Sequence, residues 1–238
     1  MDNALAHVVV DVPPYRLSGV VYGVLVNHRP ALQALGDQVH AAPYKAPPRA
    51  PVLYVKPRNT LAAPGDAVVV PADAPELEAG AALGVVLGRT ASHLTLANAM
   101  DHVAGYTVVN DISVPHDSFY RPSVRFKAQD GFCPLGPSVV PRDAVANPDN
   151  LTVQVFVNGV CQHTTTTGDR QRGVAQLLVD VTDFMTLQAG DVLMLGVSWG
   201  APRVRAGDEV AIHIEGVGRL VNRLTHPAVQ NTAPGVSA

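Results

Sequence analysis

Residues 125–137 read Arg-Phe-Lys-Ala-Gln-Asp-Gly-Phe-Cys-Pro-Leu-Gly-Pro, and they follow a polar segment, Asn110-Asp-Ile-Ser113, that ends an apolar run. The later stretch joins a lysine to a tight Pro/Gly loop, and the earlier one supplies a carboxylate. Loops that leave a rigid scaffold often carry the side chains of binding and catalytic sites. We therefore expect Asp111 and Lys127 to lie within reach of one pocket.

Short apolar clusters rich in valine recur on both sides of this stretch, and they predict strands. The predicted strands cover residues 52–55, 67–70, 83–87, 106–109, 151–157, 191–196 and 209–214. The chain also contains 20 glycines and 20 prolines, which is typical of many short strands joined by turns. Asn158-Gly159 lies between two apolar runs and predicts a hairpin turn, because both residues tolerate positive φ.

Three segments are candidate helices: residues 29–38, 96–103 and 173–184. The last has the clearest helical spacing of apolar residues. Those residues are Val174, Leu177, Leu178, Val181 and Phe184. The predicted class is therefore α+β, with a curved mixed sheet or β-roll core and few short helices. We expect an N-terminal strand/helix segment (1–49), a main domain (50–222) and a flexible C-terminal tail (223–238).

Composition excludes several classes of protein. Of the 238 residues, 47% are hydrophobic and 16% are charged, and the formal net charge of −3 argues against a basic nucleic-acid binder. No apolar run approaches the length of a membrane span. Two cysteines provide neither a disulfide framework nor zinc-ligand spacing. The N-terminal sequence shows no secretory signal pattern, so a cytoplasmic protein is expected.

Six segments, in order along the chain, resemble the fumarylacetoacetate hydrolase family. They are residues 54–60 (Tyr-Val-Lys-Pro-Arg-Asn-Thr), 106–113, 127–137, 157–162, 186–191 and 215–222. The resemblance implies the β-rich fold of that family. Four further segments (26–29, 42–48, 56–60 and 118–122) are similar to one branch, the bifunctional isomerase/decarboxylases of 4-hydroxyphenylacetate degradation. In that branch two family domains are joined in tandem, and this chain resembles the first.

The family binds a divalent cation, usually Mg²⁺, through a Glu-x-Glu strand and an aspartate. Hard oxygen ligands suit Mg²⁺, and residues i and i+2 of a strand point to the same face. Asp111 matches the aspartate, whereas Gly80 and Ala82 occupy the two glutamate positions. Glu76 and Glu78 form another Glu-x-Glu four residues earlier and are the alternative ligands. We therefore expect Mg²⁺ binding to be weak or absent.

The resemblance also implies roles for other residues. Lys127 matches the lysine that orients the substrate's oxo group and stabilises enolate charge, and His116 is a candidate proton shuttle. Candidate substrate-binding residues are Tyr120, Arg121, Arg125, Gln162 and Ser198. Arginines bind carboxylates by paired hydrogen bonds, and Ser198 is the candidate replacement for a family threonine whose position is Val197.

The resemblance to this branch implies an enzyme subunit that decarboxylates 5-oxopent-3-ene-1,2,5-tricarboxylate, isomerises 2-hydroxyhepta-2,4-diene-1,7-dioate, or does both. Two alternatives remain open. One is a non-catalytic subunit that completes an assembly with a metal-competent partner, and the other is a different 2-oxo acid hydrolase or decarboxylase of the family. The expected partners are a small 2-oxo dicarboxylate or tricarboxylate and either a second copy of the chain or a second family subunit.

Overall fold

The structure, a computed structural model, describes residues 8–9, 16–17, 19–116 and 123–227. Strands dominate it, as the valine-rich clusters predict. They are β1 (Val8–Val9), β2 (Arg16–Leu17), β3 (Val21–Leu25), β4 (Val52–Lys56), β5 (Leu61–Ala62), β6 (Ala67–Val69), β7 (Leu77–Glu78), β8 (Ala81–Leu87), β9 (Val103–Asn110), β10 (Cys133–Pro141), β11 (Thr152–Val157), β12 (Val160–Thr166), β13 (Val192–Met194), β14 (Arg203–Val204), β15 (Glu209–Ile214) and β16 (Gly218–Thr225).

Two mixed sheets form the body of the protein. The larger has the strand order β4-β3-β13-β8-β9-β10-β5, and the smaller has the order β12-β11-β15-β16-β6. β8 lies near the middle of the larger sheet and is buried at every residue, as expected for a continuous apolar run. Leu83 of β8, Val155 of β11 and Ile212 of β15 belong to one core cluster, so the two sheets share a core. The predicted α+β class with a curled mixed sheet is confirmed.

Helices are few and short. They are α1 (Arg29–Leu35), α2 (Val124–Lys127) and α3 (Val174–Thr182), with 3-10 turns at 36–40, 58–60, 99–102, 142–144 and 167–169. The helix predicted over 96–103 is wrong: only the 3-10 turn forms there, and β9 begins at Val103. Pairing of β9 with β8 in the sheet overrides the local pattern.

α3 follows the predicted amphipathic pattern with one exception. Val174, Leu177 and Val181 are fully buried, whereas Phe184 lies beyond the helix end and is 60% exposed. Asp149 accepts a hydrogen bond from the Val174 backbone N–H at 2.8 Å, which satisfies one of the free donors at the helix N-terminus. The buried stripe is therefore shorter than the sequence predicts.

The predicted hairpin turn is confirmed. Asn158 and Gly159 have φ values of 51° and 80°, and they connect the antiparallel strands β11 and β12. β3, from the segment predicted as N-terminal, pairs with β4 and β13 inside the larger sheet. β16 continues to Thr225, and most of the predicted tail lies outside the described residues. No helix in the described ranges is long and apolar enough to cross a membrane.

Candidate active site

A cleft of about 520 Å³ opens between the end of β3, α1 and the loop that follows β13. Apolar side chains such as Val24, Ala31 and Leu35 form part of its wall. Its polar lining residues are Gln38, Tyr54, Glu78, Asp111, His116, Ser198 and Arg203. A concave, largely apolar site with a few convergent polar groups is what a small-molecule pocket requires.

Asp111 is the centre of a buried ionic cluster beside this cleft. Its carboxylate lies 2.7 Å from the Lys127 Nζ and 3.0 Å from the Lys56 Nζ, and its own side chain is fully buried. The Tyr54 hydroxyl donates a hydrogen bond to the same carboxylate. The structure thus brings Asp111 and Lys127 into direct contact.

Three elements of the fold position this cluster. Asp111 directly follows β9, and its backbone N–H donates to the Gly80 carbonyl at 2.8 Å. Tyr54 and Lys56 are two residues apart on β4, so their side chains leave the same face of the strand. Lys127 ends α2, and its carbonyl accepts a hydrogen bond from the Lys56 Nζ at 2.6 Å. The contact between β4 and α2 therefore holds both ammonium groups on one carboxylate.

Burial and the neighbouring charges shift the pKa values of Asp111 and Tyr54. Burial raises the pKa of Asp111, but Lys127 and Lys56 together outweigh burial and lower that pKa to about 2. Burial, and then the charge of Asp111, raises the pKa of Tyr54 well above its usual value. The phenol is therefore neutral at pH 7, and two ammonium groups against one carboxylate leave one net positive charge beside the cleft.

The side chains here do not fit an octahedral Mg²⁺ site of the kind the family resemblance implies. A Cβ atom at residue 80 would lie 2.3 Å from the Asp111 carbonyl oxygen, so a glutamate there requires a backbone shift. Ala82 packs in an apolar cluster with Val109 and Cys133. Across the described residues, no group of three His, Cys, Asp or Glu side chains is placed to hold a metal ion.

The alternative glutamates are already paired with cations. Glu78 lines the cleft, but its carboxylate lies 3.2 Å from the Arg203 guanidinium and accepts a hydrogen bond from the Ser113 hydroxyl. Glu76 forms a more exposed pair with Arg205 at 3.6 Å. A divalent cation at Glu78 would have to displace Arg203, so Glu76 and Glu78 form no ready carboxylate pair for a metal.

We expect Mg²⁺ and Mn²⁺ to bind this chain weakly or not at all. A cationic cluster lies where the site would be anionic, and Gly80 and Ala82 supply no side-chain oxygen ligand. Calorimetric titration of protein pretreated with EDTA measures this directly. A dissociation constant in the low micromolar range would contradict the prediction. Loss of that binding in Glu78→Gln, but not in the half-buried control Glu209→Gln, would identify Glu78 as a ligand.

The other predicted residues are distributed unevenly. His116 lines the cleft, where its ring stacks on Phe126 with centroids 4.8 Å apart and its Nδ1 lies 2.9 Å from the Val114 carbonyl oxygen. Ser198 also lines the cleft and is buried. Their roles toward a substrate remain predictions.

Two predicted substrate-binding residues are not among those that line the cleft. Arg125 is exposed and pairs with Asp73 at 3.2 Å, and Gln162 is exposed on β12. Tyr120 and Arg121 lie outside the described residues.

Sequence reasoning assigned no role to Lys56 or Tyr54. The available signal was that Lys56 directly follows the apolar run Val52–Val55. A lysine that is buried together with such a strand needs a charged or polar partner. Lys56 is 2% exposed and has three such partners, the Asp111 carboxylate and the carbonyl oxygens of Lys127 and Ile112.

Comparisons with known proteins agree with this architecture. Residues 20–225 match the family model described as fumarylacetoacetate (FAA) hydrolase C-terminal. The 4-hydroxyphenylacetate degradation bifunctional isomerase/decarboxylase of Escherichia coli is 38% identical over 206 residues, which are 87% of this chain and 47% of that protein. The chain thus spans about half the length of this relative.

Solved structures give the same assignment. The 5-carboxymethyl-2-hydroxymuconate delta-isomerase of Mycobacterium smegmatis superposes with a TM-score of 0.74 at 29% identity, over 87% of this chain and 77% of that one. A maleylpyruvate hydrolase of Sphingobium, in complex with manganese(II) and pyruvate, has a TM-score of 0.71 at 26% identity, over 87% and 70% of the two chains. With most of its length matched in sequence and in structure, this chain belongs to the fumarylacetoacetate hydrolase family.

Proposed function

We propose that this chain is a subunit of an isomerase/decarboxylase of 4-hydroxyphenylacetate degradation. It would act on 2-hydroxyhepta-2,4-diene-1,7-dioate, on 5-oxopent-3-ene-1,2,5-tricarboxylate, or on both. The observation that carries the proposal is the buried Lys56–Asp111–Lys127 cluster, whose net positive charge lies beside an otherwise largely apolar cleft. Similarity to the 4-hydroxyphenylacetate degradation bifunctional isomerase/decarboxylase of Escherichia coli supports the choice of reactions, and similarity to a 2-hydroxyhepta-2,4-diene-1,7-dioate isomerase of Mycobacterium marinum supports the first substrate.

Both reactions develop negative charge on an oxygen next to a carboxylate. In the isomerisation the 2-hydroxyl group of the diene loses its proton, the electron pair moves from that oxygen through the diene, and a proton is added at C5, which leaves a 2-oxo-3-ene. In the decarboxylation the electron pair of the broken carbon–carbon bond moves into the same conjugated system as CO₂ leaves. A fixed cation beside that oxygen stabilises either intermediate, and it is most effective where water is excluded.

Lys127 is the candidate for that cation: it is not itself among the residues that line the cleft, but it hydrogen-bonds Asp111, which is. Its Nζ hydrogen-bonds Asp111 and lies 5.0 Å from the centroid of the Tyr54 ring, and its side chain retains 8% exposure, whereas Lys56 has none. An ammonium has three donors, so Lys127 can keep its bond to Asp111 while donating to a substrate oxygen. In this scheme Lys56 and Asp111 hold Lys127 in place rather than contact the substrate.

His116 is the candidate for delivering the proton to carbon, because its ring lines the cleft and an imidazole can both donate and accept a proton. Ser198 is the candidate donor to a substrate carboxylate. Arg125 and Gln162, which do not line the cleft, carry no part of this proposal.

The test is turnover of each compound by the chain alone and by the chain mixed with a separately encoded second family subunit. Loss of the conjugated chromophore reports isomerisation, and CO₂ release reports decarboxylation. Activity that depends on this chain supports the proposal. An assembly whose activity is unchanged when this chain carries Lys127→Met would instead assign it the non-catalytic role, and turnover of neither compound in any combination would contradict the proposal.

We also expect the isolated chain to form a homodimer, because the matched segment is only 47% of the Escherichia coli relative, which leaves room there for a second domain of this size, and a pairing of like domains is self-complementary. The formal charge of −3 offers little repulsion between two copies. Sedimentation at micromolar concentration is the measurement, and mixing with a second family subunit shows whether the heteromer replaces the dimer. A sedimenting mass of 25.0 kDa, that of a single chain, would contradict the expectation.

A further inference from the structure

A second buried cation lies behind the loop that closes the other side of the cleft. Arg170 is 4% exposed and follows the 3-10 turn 167–169. Its Nη2 donates to the Gly196 carbonyl at 3.1 Å and to the Ser198 hydroxyl oxygen at 3.1 Å. Ser198, Trp199 and Gly200 of the same loop line the cleft, so Arg170 contacts a residue of the cleft wall.

The charge of Arg170 is not neutralised within the part of the chain that the structure describes. No carboxylate there forms a salt bridge with it, and its Nε and Nη1 have no hydrogen-bond acceptor. A buried charge without a partner is destabilising, because desolvation is not repaid by an opposite charge. Burial lowers the pKa of Arg170 to about 10, which leaves the guanidinium protonated at pH 7.

The neighbourhood offers further donors and little negative charge. His28 pairs with Arg170 as an isolated β-bridge, and its Nδ1 accepts the Trp199 backbone N–H at 3.0 Å. Burial, reinforced by the positive charge of Arg170, lowers the pKa of His28 to about 4, so the ring is neutral and carries its proton on Nε2. The Nε2 atom has no acceptor within the described structure. Asp169 is the carboxylate whose charge raises the pKa of Arg170, and it lies 3.8 Å from the Arg29 guanidinium.

The hydrogen bond from Arg170 orients Ser198. A guanidinium has no acceptor, so the Ser198 oxygen must accept from it, and the hydroxyl proton of Ser198 is left to donate elsewhere. Ser198 lines the cleft, and no other partner of its hydroxyl is found among the described residues. A hydroxyl donor backed by an uncompensated positive charge is suited to an anionic group such as a carboxylate.

We propose that Arg170 is a positioning residue that presents the Ser198 hydroxyl, and adds its own buried charge, to a carboxylate group bound against the 197–200 loop. The inference rests on the proposed function in taking that carboxylate to belong to a dicarboxylic acid substrate. One end of the substrate would then lie near Lys127, and a carboxylate at the other end would lie at Ser198. Arg170 thereby selects diacids over monoacids.

Binding of pimelate, the saturated seven-carbon dicarboxylate, tests this without requiring turnover. At a concentration about 100 times its dissociation constant, pimelate is expected to raise the Tm of the wild-type protein by about 5–10 °C. Hexanoate and inorganic phosphate at matched ionic strength should give little shift. Stabilisation by phosphate equal to that by pimelate would overturn the assignment to a carboxylate.

Arg170→Met and Ser198→Ala should each weaken pimelate binding by about 10-fold or more, since each removes part of a charge-assisted hydrogen bond. The double variant should have the same affinity for pimelate as the single variant whose affinity is lower, because Arg170 acts largely through Ser198. Arg223→Met, which removes an exposed arginine paired with Glu209 at 3.2 Å, is the matched control and should bind like wild type.

Arg170→Gln keeps a donor for the Ser198 oxygen but removes the charge, and it replaces Arg170→Met if the latter fails to fold. Wild-type affinity for pimelate in Arg170→Gln together with wild-type Tm would overturn the proposal. In turnover assays, the Arg170 variants should raise KM for the diacid about 10-fold with a smaller change in kcat. Arg170-dependent pimelate binding without any turnover would refute the proposed reaction alone, whereas normal turnover with unchanged KM in these variants would refute the role of Arg170 alone.

Discussion

Replacing Lys127 by methionine is expected to lower kcat for the proposed reaction by about 10²-fold or more, with the fold retained. One preorganised electrostatic group in a water-poor site is worth ~3 kcal/mol of transition-state stabilisation. Methionine keeps an unbranched side chain of similar length beside the Tyr54 ring, so packing changes little. Lys56 remains to neutralise Asp111, from which it lies 3.0 Å away. Steady-state kinetics in the most active assembly is the measurement.

The chain offers a matched control for this substitution. It contains three lysines, and Lys45, unlike Lys56 and Lys127, is exposed. Lys45→Met should leave kcat within about twofold of wild type, since surface substitutions away from special contacts have small effects. Equal activity in Lys127→Met and Lys45→Met, with unchanged circular dichroism, would show that Lys127 has only a structural role.

Replacing Asp111 by asparagine is expected to be the most destabilising exchange of an aspartate for asparagine in this protein. The exchange leaves the ammonium groups of Lys56 and Lys127 without a counter-charge in a buried site. Breaking a buried ion pair by removing one partner costs about 3–5 kcal/mol, which lowers Tm by roughly 10 °C in a protein of this size. Thermal and urea unfolding measure the loss.

Asp73→Asn is the control for that loss. Asp73 forms an exposed pair with Arg125 at 3.2 Å, with side chains 71% and 82% exposed. Exposed pairs contribute about 0–1 kcal/mol, so this variant should unfold almost as wild type does. A change of less than about 1 kcal/mol in Asp111→Asn would contradict the view that the cluster is held together by this carboxylate.

The same carboxylate predicts a dependence of stability on pH. The pKa of Asp111 in the folded protein is about 2, against 3.8 for an unperturbed aspartate. Because the folded-state pKa is the lower one, the associated stability is complete above pH 4 and is lost as the pH falls from about 4 to 2. The difference corresponds to about 2 kcal/mol, and this component should be missing from the pH profile of Asp111→Asn. Parallel profiles for wild type and variant over that range would contradict the assigned pKa.

Features that depend on neighbouring residues in the chain were predictable from sequence. The turn at Asn158-Gly159 was predictable because the tolerance of both residues for positive φ is a local property. β8 and β9 contain the predicted strands 83–87 and 106–109, since continuous apolar runs bury both faces of a central strand. The six motifs, which include those around Asp111 and Lys127, likewise predicted the family.

Local patterns failed where tertiary pairing competed with them. Residues 96–103 have helical spacing, yet Val103 begins β9 and Leu96 is left 61% exposed. The hydrogen bonds that β9 makes to β8 and β10 are available only once the sheet has formed. A pattern eight residues long contains no information about that partner.

Sequence by itself determined the fold class, the hairpin and the two residues, Asp111 and Lys127, on which the proposed chemistry depends. Only the tertiary structure decided what surrounds them. Tyr54 reaches Asp111 across 57 positions of the chain, and Arg170 reaches Ser198 across 28. Such contacts follow from strand order and loop path rather than from local propensity, and burial then makes each of these charges strong, because little water remains to screen it.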